Sequence, residues 1–138
     1  MFERCLYFNT VALARDVDRI WNEAYSELSL APSHAYLLRL ILAKPGLSPS
    51  EIGRELNLEK STVTRFVDRM VEAGYLVRSA AGKGLGTGQR IFATDRAKAI
   101  SGRLDAIGEA LYRRMTALVG EEDLKQYASL ARQVRSRI

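Results

Sequence analysis

The hydrophobic pattern of this chain is helical almost throughout and changes only once, after Gly74. Before that glycine, apolar residues recur at spacings of three and four, which is typical of amphipathic helices. After it, two short runs at 75–78 and 90–93 favour strands. Four glycines within the seven residues 82–88 separate the two runs. The sequence therefore predicts a mainly helical chain that carries one β-hairpin.

Prolines and a glycine mark the boundaries of the longer helices. A first helix is expected from Leu6 up to Pro32, and Ser33 is placed to cap a second one. Pro45, which is followed by glycine, ends that second helix. Beyond the hairpin we expect two further helices, separated by Gly120.

The segment before the hairpin has the order of a helix-turn-helix. Ser48, Pro49 and Glu51 supply the N-cap, the first helical residue and the capping-box acid of a short third helix. Asn57 marks its end, and a fourth helix begins near Glu59. Because a hairpin follows this pair of helices directly, the predicted fold is a winged helix-turn-helix of about six helices plus a two-stranded wing.

Positive charge is concentrated in the middle third of the chain. Residues 60–104 hold nine Lys or Arg and three Asp or Glu, a net charge of +6. Residues 1–59 sum to −2 and residues 105–138 to +1, which together give the total of +5. This distribution suggests a surface that faces a polyanion, with a solvated basic face as the alternative.

The fourth helix is the predicted recognition helix, which in a winged helix enters the major groove of DNA. Arg65 lies opposite its apolar stripe and can pair with guanine, whereas Arg69, one turn later, is expected to reach a phosphate. The predicted DNA contacts are Ser48, Lys60, Ser61, Thr62, Thr64, Arg65, Arg69, Lys83 and Arg90.

Several other classes of protein are disfavoured. Cys5 and His34 are each the sole residue of their kind, so an internal disulfide, a zinc site built from His and Cys, and a catalytic Cys–His pair are not expected. The glycine run has neither the spacing of a P-loop nor that of a dinucleotide-binding fingerprint. No apolar run approaches the ~20 residues of a membrane span, and no signal peptide is recognisable. We therefore expect a cytoplasmic protein without cofactor, metal, enzymatic activity or membrane partner.

The sequence resembles the MarR family of winged helix-turn-helix transcriptional regulators, named for multiple antibiotic resistance. The resemblance is strongest from Ser48 to Arg78, including Ser-Thr-Val-Thr-Arg at 61–65 and Asp-Arg-Met-Val-Glu-Ala-Gly-Tyr-Leu at 68–76. Thr94 matches the threonine with which the family leaves its second wing strand. The resemblance implies a homodimer that binds a pseudo-palindromic double-stranded operator, most commonly as a repressor.

The family's dimers interleave their N- and C-terminal helices. Residues 1–30 and 95–138 are accordingly predicted to form a dimerisation region, and residues 31–94 the DNA-binding lobe. Apolar stripes at both ends of the chain, found independently of the resemblance, suit such an interface. The predicted interface residues are Leu6, Leu13, Ile100, Leu104, Ile107, Leu111, Leu124 and Val134.

The resemblance also implies a pocket between the dimerisation helices and the DNA-binding lobe, for a small aromatic or phenolic effector. Its expected lining is Tyr7, Val11, Trp21, His34 and Leu38. Binding there would favour one spacing of the two recognition helices over another.

Two alternative functions stay open. One branch of the family senses peroxide through a cysteine in the first helix, which would give Cys5 a redox role. When the first helices are aligned on Trp21, however, the sensing position falls on Tyr7. We therefore expect Cys5 to serve in packing. The other alternative is a winged helix that contacts only proteins. Arg65 and Arg69 on the exposed face disfavour it, since such a face would be apolar.

The wing departs from the family pattern. MarR proteins usually carry an Asp–Arg pair there, in which the acid orients the arginine. Residues 84–90 contain no acid, and Lys83 and Arg90 are the charges at this point of the chain. Glycine flexibility or the DNA itself is therefore expected to set the geometry of the wing.

Overall fold

The computed structural model describes residues 1–80 and 88–138. The described part is mainly helical with one two-stranded antiparallel sheet, which confirms the predicted fold class. Among these residues, no helix is both long and apolar enough to cross a membrane. The elements in chain order are α1 (Leu6–Tyr25), a 3₁₀ helix (Ser26–Leu28), α2 (Pro32–Ala43), α3 (Pro49–Leu56), α4 (Lys60–Glu72), β1 (Leu76–Ala80), β2 (Gln89–Ala93), α5 (Asp95–Ala99), α6 (Ser101–Val119) and α7 (Glu121–Arg137).

Pro32 begins α2 instead of ending α1. Helix α1 stops at Tyr25, and the 3₁₀ turn that follows ends at Ser29, whose backbone is left-handed with φ 54°. Ala31 is the N-cap of α2 and Pro32 its first residue, a position where the missing N–H has no intrahelical partner to lose. The prediction that Ser33 caps α2 was therefore wrong.

A short helix, α5, precedes the first long helix after the wing. The Thr94 hydroxyl accepts a hydrogen bond from the Ala97 backbone N–H (3.4 Å), and the helix ends at Ile100. The sequence predicted two helices beyond the hairpin, with an apolar stripe that starts at Ile100, so α5 was not predicted. Gly120, with φ 97°, separates α6 from α7 as predicted.

The chain divides into two compact units, residues 1–105 and 106–138. In the first unit, α2, α3, α4 and β2 each contribute fully buried aliphatic side chains to the core. The core residues with less than 2% exposure include Leu37, Leu38, Ile41, Ile52, Val63 and Ile91. Helix α4 contributes one face to this core and exposes its opposite face to solvent.

Leu104 belongs to this core instead of a dimer interface. Its side chain is 0% exposed in the single chain, so it cannot meet a second copy. Ile107 and Leu111 are also buried, at 6% and 4% exposure. The predicted seam therefore contains three residues that are buried in the single chain. The assignment of Leu104 to the interface was wrong, and that of Ile107 and Leu111 stays a prediction. Ile100, Leu124 and Val134 are half-buried.

Candidate nucleic-acid interface

A complete capping box starts the helix-turn-helix. The Ser48 hydroxyl accepts a hydrogen bond from the Glu51 N–H, and the Glu51 carboxylate accepts one from the Ser48 N–H, both at 3.2 Å. This pairing satisfies two backbone donors that the first turn of α3 would otherwise leave free. Ser48 is half-buried, so its predicted contact with DNA stays a prediction beside an observed structural role.

The turn between α3 and α4 is tight because Gly53 lies beneath it. Asn57 ends α3 in the left-handed conformation (φ 56°), and the Leu58 N–H donates to the Gly53 carbonyl at 2.9 Å. A Cβ on Gly53 would lie 2.9 Å from the Leu58 carbonyl oxygen, closer than real contacts allow. The glycine therefore fixes how closely α4 follows α3.

Helix α4 buries one face and exposes the other, as predicted. Val63, Val67 and Met70 are buried, whereas Arg65 and Arg69 are exposed. Three other predicted contacts on this helix are also exposed, namely Lys60, Ser61 and Thr64. Thr62 is half-buried. All six of these predicted contacts lie on α4, and most of them are accessible to a groove of DNA.

Two of these side chains have partners on α4 itself. The Thr64 hydroxyl donates to the Lys60 carbonyl at 3.0 Å, and the Arg65 guanidinium lies 5.7 Å from the centre of the Phe66 ring. No described acid forms an ion pair with Lys60, Arg65 or Arg69. The positive charge of this face is therefore not neutralised by the described part of the chain.

An acid between the two arginines of this helix has a different partner. Asp68 forms an ion pair with Arg78 of β1, which joins α4 to the wing. The side chain of Asp68 is 59% exposed and that of Arg78 is 29% exposed. The pair compensates a negative charge that would otherwise repel a polyanion near Arg65 and Arg69.

A second set of contacts closes the base of the wing. The Thr94 hydroxyl donates to the Gly74 carbonyl at 2.6 Å. Arg96 donates to the Ala73 carbonyl and stacks on Tyr75, with its guanidinium carbon 4.4 Å from the ring centre. Arg96 was not among the predicted site residues, although its charge was counted in the basic segment 60–104.

The two predicted wing residues have different outcomes. Lys83 lies outside the described residues. Arg90 does not extend freely from β2: its Nη1 donates to the Gly46 carbonyl (3.2 Å) and lies 3.4 Å from the Glu51 carboxylate. An acid of α3 therefore faces Arg90 at the base of the wing, and no local pattern in the sequence indicates this long-range contact. What sets the geometry of residues 81–87 lies outside the described residues.

The five predicted pocket residues are not brought together in the single chain. Val11 and Trp21 line a cleft of about 570 Å³ along α1, which Arg15 and Pro32 also border. His34 lines a different cleft, Leu38 is fully buried in the core, and Tyr7 is 77% exposed. The single chain therefore does not join the five residues in one cleft, and the predicted pocket between the dimerisation helices and the DNA-binding lobe stays a prediction.

The cleft at His34 is basic. It has a volume of about 410 Å³ and is bordered by His34, Arg69 and Arg96 together with Ser29 and Tyr75. Burial lowers the pKa of His34 below its ordinary value, and the nearby charge of Arg69 lowers this pKa further. The imidazole is therefore held uncharged near pH 7 beside two guanidinium groups.

Comparisons with known proteins agree with this geometry. The model of the MarR family matches residues 28–84, which begin at the end of the 3₁₀ helix and extend past the first wing strand. No match is found among curated proteins.

Solved structures of the same fold cover nearly the whole chain. The PcaV transcriptional regulator from Streptomyces coelicolor, in complex with its natural ligand, is 21% identical with a TM-score of 0.86, and 99% of this chain and 95% of PcaV are covered. The transcriptional repressor CouR, bound to a 23-mer DNA duplex, is 18% identical with a TM-score of 0.84, covering 97% and 94% of the two chains. An organohalide-sensing transcriptional regulator in its 2,4-dichlorophenol-bound form is 19% identical with a TM-score of 0.84, covering 99% and 81%. At these identities the likeness establishes the fold.

Proposed function

We propose that this chain is a sequence-specific DNA-binding transcriptional regulator of the MarR family, whose model matches its winged helix-turn-helix at residues 28–84. The observation that carries the proposal is the exposed face of α4. Arg65 and Arg69 lie there without a described acidic partner, in the helix that a winged helix-turn-helix presents to the major groove. Because its proposed target is DNA, we expect the protein to work in the cytoplasm.

The proposed working form is a homodimer. Large apolar side chains are exposed in both compact units, and such side chains are candidates for contact with a second copy. Leu6 is 58% exposed in the first unit, and Leu118 and Leu130 are 69% and 59% exposed in the second. A two-fold dimer presents α4 twice, so the operator is expected to be pseudo-palindromic with half-sites about one helical turn apart.

A small molecule is the proposed effector. PcaV and the organohalide sensor, which share the fold, are described with a natural ligand and with 2,4-dichlorophenol, respectively. In this chain, the cleft along α1 offers the aromatic face of Trp21 and the charge of Arg15. An aromatic or phenolic compound with an acidic group fits those two features, and its binding would release a repressor from the operator.

The test is a selection of binding sites from a pool of randomised DNA duplexes, followed by footprinting of the enriched sequence. We expect enrichment of one motif with two inverted half-sites, and a binding constant that falls steeply with salt. A matched control replaces Lys125, an exposed cation on α7, with Ala. It removes one charge per chain from a helix that carries none of the predicted DNA contacts, and it should leave the affinity within about twofold. A pool that shows no enrichment at low salt contradicts the proposal.

A further inference from the structure

The wing of this chain is attached to the helix-turn-helix by an arginine and an acid that lie 39 residues apart. We propose that Arg90 is a positioning residue that holds the second wing strand against the N-terminus of α3 through Glu51, and that it is not a DNA contact. This inference rests on the proposed function, because the position of the wing matters only to a protein that binds DNA.

The side chain of Arg90 contacts two acceptors. Its Nη1 donates to the Gly46 carbonyl at 3.2 Å and lies 3.4 Å from Oε1 of Glu51. Both acceptors belong to the short stretch between the end of α2 and the first turn of α3. The guanidinium therefore faces the helix-turn-helix, in contrast to the exposed Arg65 on α4.

Glu51 serves the capping box and the ion pair with the same oxygen. Oε1 accepts from the Ser48 N–H at 3.2 Å and from Arg90. Hydrogen bonds with Ser48 lower the pKa of this carboxyl, and the charges of Arg90 and Arg54 lower it further, so Glu51 is ionised throughout the neutral range. The position of the acid is fixed by α3, which makes it a rigid anchor for a strand.

Backbone hydrogen bonds run beside this ion pair. The Gly46 N–H donates to the Ile91 carbonyl and the Ile91 N–H donates to the Leu47 carbonyl, each at 2.9 Å. The stretch before α3 therefore pairs with the free edge of β2, opposite the edge that pairs with β1. A Cβ on Gly46, whose φ is +85°, would lie 3.3 Å from the Phe92 ring, so this approach also favours glycine.

These contacts supply the constraint that an acid within the wing would give. Residues 84–90 carry no acid, so an arginine there cannot be oriented from within that segment. The Arg90–Glu51 pair instead sets the direction in which β2 leaves the body of the protein. Because both side chains of the pair are more than a third exposed (38% and 37%), the pair contributes little to global stability, and its removal should alter the wing without unfolding the chain.

The experiment compares Arg90→Gln, Glu51→Gln and the double variant. Glutamine at position 51 can still complete the capping box, so α3 keeps its start. Two quantities are measured: the affinity for the selected operator over a series of salt concentrations, and the exchange rate of the Ile91 amide hydrogen by NMR. Circular dichroism confirms that each variant keeps its helices.

We expect both single variants to weaken operator binding by a similar factor of about three to ten, and the double variant to be no weaker than either. The salt dependence should keep its native slope, because every phosphate contact is retained. Exchange of the Ile91 amide should be faster in all three variants. Arg90→Lys should restore little, since an ammonium cannot reproduce the planar guanidinium geometry that serves Gly46 and Glu51 together.

A different pattern overturns the proposal. If Arg90 contacts a phosphate, Arg90→Gln will reduce the salt slope by about one per half-site, Arg90→Lys will restore binding, and Glu51→Gln will leave affinity unchanged or raise it. If the native chain binds no DNA, the proposed function fails. Hydrogen exchange at the Ile91 amide still decides whether the Arg90–Glu51 pair holds β2 against α3. Unchanged exchange of this amide in Arg90→Gln contradicts that attachment.

Discussion

The imidazole ring of His34 on α2 lies edge-on to the phenyl ring of Phe66 on the recognition helix, with ring centres 5.0 Å apart and an interplanar angle of 86°. Such an edge-to-face pair joins α2 to α4. Arg69 of α4 and Arg96 of α5 border the same cleft, and Tyr75 closes it from the start of the wing. Protonation of His34 would add a third positive charge to this cleft.

The first prediction concerns the pH dependence of stability. Because His34 has a lowered pKa in the folded chain and an ordinary value of 6.5 when unfolded, the unfolded chain binds more protons between those two values. The free energy of unfolding should therefore fall as the pH is lowered from about 7.5 to about 5. His34→Gln removes this difference, so its stability should decline less over the same interval. Urea titrations at the two pH values measure the effect, and equal declines in both proteins would contradict it.

The second prediction concerns the turn of the helix-turn-helix. Gly53→Ala places a Cβ 2.9 Å from the Leu58 carbonyl oxygen, so α3 and α4 must separate. We expect a decrease of about 1–3 kcal/mol in the free energy of unfolding and weaker DNA binding. Gly102→Ala is the matched control, since a Cβ there meets nothing within 4 Å and alanine favours helix; it should be neutral or stabilise the chain by up to about 1 kcal/mol. Equal stability of the two variants would refute the steric argument.

Local signals in the sequence predicted much of the fold. The capping box at Ser48 and Glu51, the left-handed end of α3 at Asn57 and the exposed position of Arg65 each depend on residues within a few positions of one another. Such signals act through the local backbone, so one sequence is enough to read them.

Contacts between distant residues were not predictable in this way. The Arg90–Glu51 pair depends on how β2 packs beside α3, and the burial of Leu104 depends on the whole core of the first unit. A helical stripe has the same spacing whether it faces its own core or a second chain. Periodicity alone therefore assigned Leu104 to the interface, and only its exposure in the folded chain separates the two cases.

The third prediction uses this distinction to test the dimer. Leu130→Glu places a charge on an exposed apolar position of α7, so we expect a folded monomer if that face meets a second copy. Leu104→Asp places an unpaired charge in the core and should unfold the chain instead. Gln126→Glu, an exposed position on the same helix, is the control and should keep the native mass. Sedimentation and circular dichroism distinguish these outcomes, and a native chain that sediments as a monomer at micromolar concentration rules out the dimer.

The fourth prediction tests whether Cys5 has a redox role. The sulfur of Cys5 accepts a hydrogen bond from the Phe8 N–H at 3.4 Å, which makes Cys5 the N-cap of α1. Serine is a good N-cap residue, so Cys5→Ser should preserve stability within about 0.5 kcal/mol. Operator affinity should also be unchanged, with and without peroxide. Release of the native protein by peroxide, together with resistance of Cys5→Ser, would instead establish a redox role.

The fifth prediction assigns different tasks to Arg65 and Arg69, the two arginines of α4. Arg65 lies near the start of α4 and opposite its buried stripe, so it should contact a base edge. Arg65→Ala should cost about 1–3 kcal/mol for each half-site and relax the sequence preference at one position in each. Arg69 lies one turn later and borders the His34 cleft. Arg69→Ala should weaken binding to all sequences alike and reduce the salt slope by about one for each phosphate that the arginine neutralises.

Titrations of both variants against single-base operator mutants at several salt concentrations separate these tasks. In the proposed two-fold dimer each arginine occurs twice, so the relaxed preference in Arg65→Ala should appear at symmetric positions of the two half-sites. The same charge is removed in both variants, so a purely electrostatic role would give both the same salt slope and leave every base preference intact. If Arg65→Ala lowers affinity uniformly over the operator mutants, the assignment of Arg65 to base recognition is wrong, and the neighbouring Ser61 and Thr62 become the candidates for that role.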